Sequence, residues 1–89
     1  MRYSYDPRKL ATNVAKHQVW FHEADNFEWE TAAITVDSRK RYSETRFTAH
    51  GVIGERLHVM AFTLRETSIR IISLRKANAR EVKRYAKDH

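Results

Sequence analysis

The chain has no cysteine, one proline and two glycines among 89 residues. Without thiols there is no disulfide framework and no thiolate metal site. So little proline and glycine leaves no linker or low-complexity segment, and one compact domain over residues 1–89 is expected. No apolar run nears the roughly 18 residues a membrane helix needs, so no membrane partner is expected. No apolar signal core follows Arg2-Tyr3-Ser4-Tyr5-Asp6, which together with the missing thiols points to the cytoplasm. A glycine-rich phosphate loop and a Gly-x-Ser-x-Gly elbow are both missing, so a nucleotide-dependent enzyme and a serine hydrolase have no support. His22-Glu23 opens like a zinc-protease motif, but Asn26 stands where the second histidine belongs. The histidines at 17, 22, 50, 58 and 89 share no ligand spacing, so no metal and no cofactor is expected.

What the chain has is positive charge, unevenly placed. The formal charge is +6, from 17 Lys/Arg against 11 Asp/Glu. Residues 1–38 carry −2 and residues 39–89 carry +8. A segregated positive field attracts polyanions. Nine of the thirteen basic residues in the second part are arginine, the side chain suited to planar, bidentate phosphate contacts. A solvated surface that keeps a small protein soluble is the plainer reading.

The pattern along the chain predicts an α+β domain. Arg2-Tyr3-Ser4-Tyr5 reads as a short strand. Asp6 as N-cap and Pro7 at the first helical position start a helix that runs to Lys16 or His17, with Leu10, Val14 and His17 on its core stripe and Lys9, Asn13 and Lys16 on a polar one. Val19-Trp20-Phe21 plugs the core, and a second helix is expected over His22–Glu30. Strands follow at 31–36, 44–49, 56–64 and 69–77, with a hairpin turn over His50–Glu55 that includes Gly51 and Gly54. A final helix over Asn78–Asp88 is expected to bury Ala79, Val82 and Ala86, with Tyr85 alongside. Short connections imply an antiparallel meander sheet of four to five strands, packed by two N-terminal helices and one C-terminal helix.

Ile69-Arg70-Ile71-Ile72-Ser73-Leu74-Arg75-Lys76-Ala77 is the most informative stretch. Strict alternation puts Ile69, Ile71, Ser73 and Arg75 on one face and Arg70, Ile72 and Leu74 on the other. A guanidinium on a half-buried strand needs an anion, either a carboxylate of the fold or a phosphate from outside.

Cutting RNA without a metal requires a base for the 2′-hydroxyl, an acid for the leaving 5′-oxygen and cations for the charge gathering on the phosphate. Lys16, His17, Glu44, Arg46, Arg70 and Arg75 supply those types. Lys16, Arg46, Arg70 and Arg75 are the candidate phosphate clamp, and His17 and Glu44 the candidate proton-transfer groups. Lys9, Arg65, Lys76, Arg80 and Tyr85 are wider RNA-binding candidates. Each has a structural role available beside the chemical one. His17 reads as a hydrogen-bonded core histidine, and Lys16 complements the helix C-terminal dipole. Glu44 and Arg46 read as an ion pair or cross-strand partners. Arg75 pairs with Glu81, and Tyr85 packs in the core as readily as it stacks on a base. Taken singly, the structural roles are the stronger.

Together the residues resemble the BrnT family of bacterial type II toxins. The resemblance rests on Tyr5-Asp6, Lys9, Asn13, Lys16-His17, Val19, Phe21, Ala24 and Phe27. It continues through Asp37, Glu44-x-Arg46, Gly51, Arg56-Leu57 and Arg65, then Arg70-Ile71-Ile72-Ser73-x-Arg75, Ala77, Glu81 and Tyr85. Tyr5 replaces the usual Trp, Gln18 stands where glycine usually follows Lys-His, and Leu74 where Ala is common. The resemblance implies a RelE-like fold and an endoribonuclease toxin that blocks translation. It also implies a BrnA-like antitoxin, contact with operator DNA only through that antitoxin, and a dimer or higher toxin–antitoxin complex. A non-catalytic nucleic-acid-binding or antitoxin-binding module is the alternative.

Overall fold

Asp6 and Pro7 begin the first helix as their types dictate. In the computed structural model, which describes residues 2–89, α1 spans Pro7–His17 and the Asp6 carboxylate accepts the Arg8 N–H. Gln18 ends α1 in the left-handed region at φ 57°, with its N–H on Val14 O. The strands are β1 (Tyr3–Ser4), β2 (Ala33–Val36), β3 (Phe47–Ile53), β4 (Arg56–Arg65) and β5 (Ser68–Lys76), and α2 spans Ala79–Asp88. They form one five-stranded sheet in the order β1-β5-β4-β3-β2. No helix is long and apolar enough to cross a membrane, among the described residues.

The expected meander is present as β2 to β5, but the sheet is mixed, because β1 pairs in parallel with β5. The chain leaves β1 through α1 and the loops before it returns, so the two-residue strand enters beside the last one in the same direction. The second N-terminal helix is absent as an α-helix. In its place stand two 3₁₀ turns, Phe21–Asn26 and Trp29–Thr31. Tertiary pairing interrupts the helix: Phe27 bridges Ile53, and the Glu28 N–H donates to Val52 O at 2.9 Å. The third strand starts at Phe47 rather than Glu44 and runs through His50 and Gly51. The hairpin turn is therefore Gly54-Glu55 alone, with Gly54 at φ +64° and Ile53 opposite Arg56, the placement that favours glycine at the first central position. Gly51 is in the strand because the Phe27 ring leans on it; a Cβ there would lie 2.4 Å from the ring.

The core lies on one side of the sheet. Phe21, Ala49, Met60, Phe62, Ile71 and Leu74 belong to a single buried cluster, covered by α1 and the 3₁₀ turns. Burying a side chain such as Phe21 contributes about 1.5–3 kcal/mol. Leu10 packs partly against this cluster, while Val14 and His17 are only half-buried. Asn13, on the polar stripe of α1, is buried at 4 % exposure. On the sheet's other face, α2 covers only one end, where Tyr85 and Val52 meet Leu57, Val59 and Ala77. No residue of α2 is buried, and Val82 is exposed, so the expected Ala79/Val82/Ala86 stripe does not face the sheet. Glu81 and Tyr85, one turn apart, do.

Candidate nucleic-acid interface

A register shift in β5 builds the site. Ala61 pairs with Ser73 but Phe62 pairs with Ile71, so Ile72 has no partner. This bulge breaks the expected alternation. Ile71 and Leu74, three residues apart, both enter the core, and Arg70, Ser73 and Arg75 all turn to the opposite, open face. Cross-strand partners share a face, so register alone lays that face out in rows. The row beneath α2 is Ala33, His50, Val59 and Arg75; the next is Thr35, Thr48, Ala61 and Ser73. Extending the β3–β4 register by one pair adds Arg46, Thr63 and Arg70. Successive rows lie about 6.5 Å apart. Thr35, Thr48, Ala61, Ser73 and Arg75, with Arg39 and Glu81, line an open cavity of about 400 Å³. Small side chains in the middle row make the face concave.

Arg75 is fixed within this face. Its Nη1 and Nη2 each lie 2.8 Å from a Glu81 oxygen, a fork geometry worth more than a single contact. Glu81 also accepts the Asn78 N–H at 2.9 Å and returns its own N–H to Asn78 Oδ1, closing a capping box at the start of α2. His50 Nε2 lies 3.6 Å from the same carboxylate. The hydrogen bonds from Arg75 bring the Glu81 carboxyl down to about 2, against the burial that opposes them. The same pairing raises the Arg75 guanidinium.

Arg46 and Arg70 are different. Among the described residues neither has a carboxylate at ion-pair distance. The Arg46 guanidinium carbon lies 4.2 Å from the centre of the Tyr42 ring, a cation–π contact. Its Nε is buried with no hydrogen-bond partner, an unpaired polar atom of the kind native folds seldom keep. Tyr42 is itself set by Asp37, which accepts its hydroxyl at 3.0 Å and the forked Arg39 guanidinium at 2.9 and 3.0 Å. Those bonds, from Arg39 first, hold the Asp37 carboxyl well below the usual carboxylate range.

At the β5 edge of the face stands the end of α1. Asn13 Nδ2 donates to Leu74 O at 2.7 Å and to Val19 O at 3.0 Å, and Leu74 N–H donates to Asn13 Oδ1 at 3.0 Å. One turn further along α1 is His17, half-exposed. Partial burial lowers its pKa, and the Lys16 and Arg75 charges lower it further. Its imidazole is thereby biased toward the neutral form, which can accept a proton.

The remaining sequence candidates fall elsewhere. Glu44 pairs with Arg65 at 3.1 Å at the far end of the face. Lys9 and Arg80 are exposed on α1 and α2, and Lys76 is exposed beyond Arg75 on β5. The Tyr85 hydroxyl donates to Thr31 O at 2.7 Å while its ring rests on the Leu57/Val59 cluster, so it anchors α2. The face also holds His50, Glu81, Arg39 and Tyr42, which composition and spacing do not single out as site residues. The Asn78-x-x-Glu81 spacing before an amphipathic helix signals the capping box, and the Thr48-x-His50 alternation signals a shared face. Nothing local in the sequence marks Arg39 or Tyr42.

A search of the curated proteins finds no match. A family model described as the ribonuclease toxin BrnT of type II toxin–antitoxin systems matches residues 5–81.

Proposed function

Because the chain belongs to the BrnT family of type II toxin–antitoxin ribonuclease toxins, we propose that it is a metal-independent endoribonuclease whose RNA site is the open face of the sheet. The observation that carries this is the pairing state of the arginines there. Among the described residues Arg46 and Arg70 stand on one face with no carboxylate at ion-pair distance, and the charge of Asp6 is felt at Arg70. A phosphate strand laid along β5 meets Arg70, the Ser73 hydroxyl and then Arg75. The outer rows are about 13 Å apart, so the arginines hold a run of nucleotides.

The chemistry needs no further group. His17, kept neutral at the edge of the face, takes the proton of a 2′-hydroxyl. The freed oxygen attacks the adjacent phosphorus, the P–O5′ bond breaks, and the proton taken up by His17 is returned, directly or through a water, to the leaving 5′-oxygen. A 2′,3′-cyclic phosphate and a 5′-hydroxyl result. Lys16, Arg46, Arg70 and Arg75 stabilise the charge on the phosphate oxygens. Glu81 fixes Arg75, while Glu44 is a second proton-transfer candidate, at the Arg65 end. Lys9, Arg65, Lys76 and Arg80 extend the positive field. RNA cleavage stops translation, and a BrnA-like antitoxin neutralises the single toxin domain by covering the open face.

The test is incubation of the full chain with total RNA in EDTA, with and without ribosomes. Fragments ending in cyclic phosphate, and no cut in 2′-O-methyl RNA, are expected. Intact RNA in both arms from folded protein removes the reading.

A further inference from the structure

The two edges of the sheet are treated differently. The β5 edge is sealed twice, by β1 against Ile69 and Arg70 and by the Asn13 amide against Leu74. The β2 edge is bare, since among the described residues no strand but β3 pairs with it. Its shortness is its one protection, since Ala33-Ile34-Thr35-Val36 holds no proline, no bulge and no charged side chain.

Which backbone groups are free follows from one bond. Asp37 N–H donates to Arg46 O at 2.8 Å. In an antiparallel ladder alternate residues turn their N–H and C=O to the same neighbour. Asp37, Thr35 and Ala33 therefore face β3, and Ile34 and Val36 present their N–H and C=O outward. The same two side chains are exposed, Ile34 at 50 % and Val36 at 59 %. Charge is graded along the strand. Glu28 and Glu30 precede it, and Arg39, Lys40 and Arg41 follow it, all on exposed residues.

We propose that β2 pairs antiparallel with β2 of a second copy of this chain, across a two-fold axis at Thr35. That register sets Ile34 opposite Val36 of the other copy twice over. Each such pair exchanges both of its backbone hydrogen bonds and brings two apolar side chains together on one face. The acidic turn of each copy meets the basic loop of the other; parallel pairing would set like charges side by side. The Arg39 side chain remains exposed despite its bond to Asp37, so it can serve both. A two-fold axis normal to the sheet keeps both open faces on one side, side by side. The strand is short, so the dimer is weak. The proposal is independent of the ribonuclease reading, because it uses the edge and not the face.

Sedimentation of the full chain at low salt tests it. The mass is expected to rise from one chain toward two between about 10 µM and about 1 mM. Val36→Pro removes an outward donor without breaking the β3 ladder, and Ile34→Lys charges the edge; each is expected to weaken association about tenfold or more. Glu30→Lys and Lys40→Glu should each be monomeric alone, and mixed they should re-form a dimer, since both cross-contacts become attractive. A wild-type chain that stays monomeric throughout overturns the proposal. So does an unchanged dimer in Val36→Pro and Ile34→Lys, or a mixture that fails to associate. Protection of the Ile34 and Val36 amides only when an antitoxin segment is added assigns the edge to that partner, and also overturns it.

Discussion

Asn13 stands against Leu74 as a strand would. Its amide gives and takes one hydrogen bond each with the Leu74 backbone, at 2.7 and 3.0 Å, inside the core. The β5 ladder continues past the end of β1 through one side chain. Asn13→Ala would leave the Leu74 N–H and the carbonyls of Leu74 and Val19 buried without partners. The expected cost is about 2–4 kcal/mol in urea unfolding, and a change near zero would show that the amide does not hold the edge.

Gln18 occupies a conformation that suits glycine. With φ at 57°, its Cβ is crowded by the backbone, and its exposed side chain gains only one bond, to Ala15 O at 3.2 Å. Relief of that crowding outweighs the extra freedom glycine has when unfolded, so Gln18→Gly should stabilise the fold by about 0.5–1 kcal/mol. Thermal unfolding reads this directly, and a lower Tm contradicts it.

Gly51 is constrained by space rather than by a turn. Gly51→Ala forces the Phe27 ring to move and should cost about 1–3 kcal/mol. Denaturant titration of that single variant decides the point, since wild-type stability would mean that the ring shifts freely.

The Arg75–Glu81 pair gives stability a specific pH dependence. The Glu81 carboxyl moves from 4.5 in the unfolded chain to about 2 in the fold. A depressed acid contributes fully above the unfolded value and loses its contribution as pH falls through the folded one. Stability should therefore fall between about pH 4.5 and 2 by about 1–2 kcal/mol from this pair, discounted for its partial exposure. Glu81→Gln should flatten that part of the curve and lower stability at neutral pH. A variant curve parallel to the wild type would mean that the pair is not formed.

Local signals carried much of the fold. Asp6-Pro7 placed the start of α1, and alternation with short turns placed the strands and their meander. What escaped was set by contacts distant in sequence. The bulge at Ile72 is invisible to a strict period of two, and it decides that Arg70 and Arg75 share a face rather than oppose each other. The 3₁₀ turns replace a helix because Phe27 and Glu28 are drawn to β3. The Ala79/Val82/Ala86 stripe misled because α2 is held through Glu81 by its bonds to Arg75 and through Tyr85 by its hydroxyl bond and its ring on the Leu57/Val59 cluster. The Arg75–Glu81 pair was legible; the open pairing state of Arg46 was not.

RNA is expected to meet the open face of the sheet and not the outer side of α2. Amide chemical-shift mapping of the full chain with a 2′-deoxy-substituted oligonucleotide tests that without requiring cleavage. Shifts are expected at Thr48, Ala61, Thr63, Ser73 and the neighbours of Arg46 and Arg70. Shifts confined to the outer side of α2, at Arg80, Lys83, Arg84 and Lys87, with the sheet residues unmoved, would contradict it.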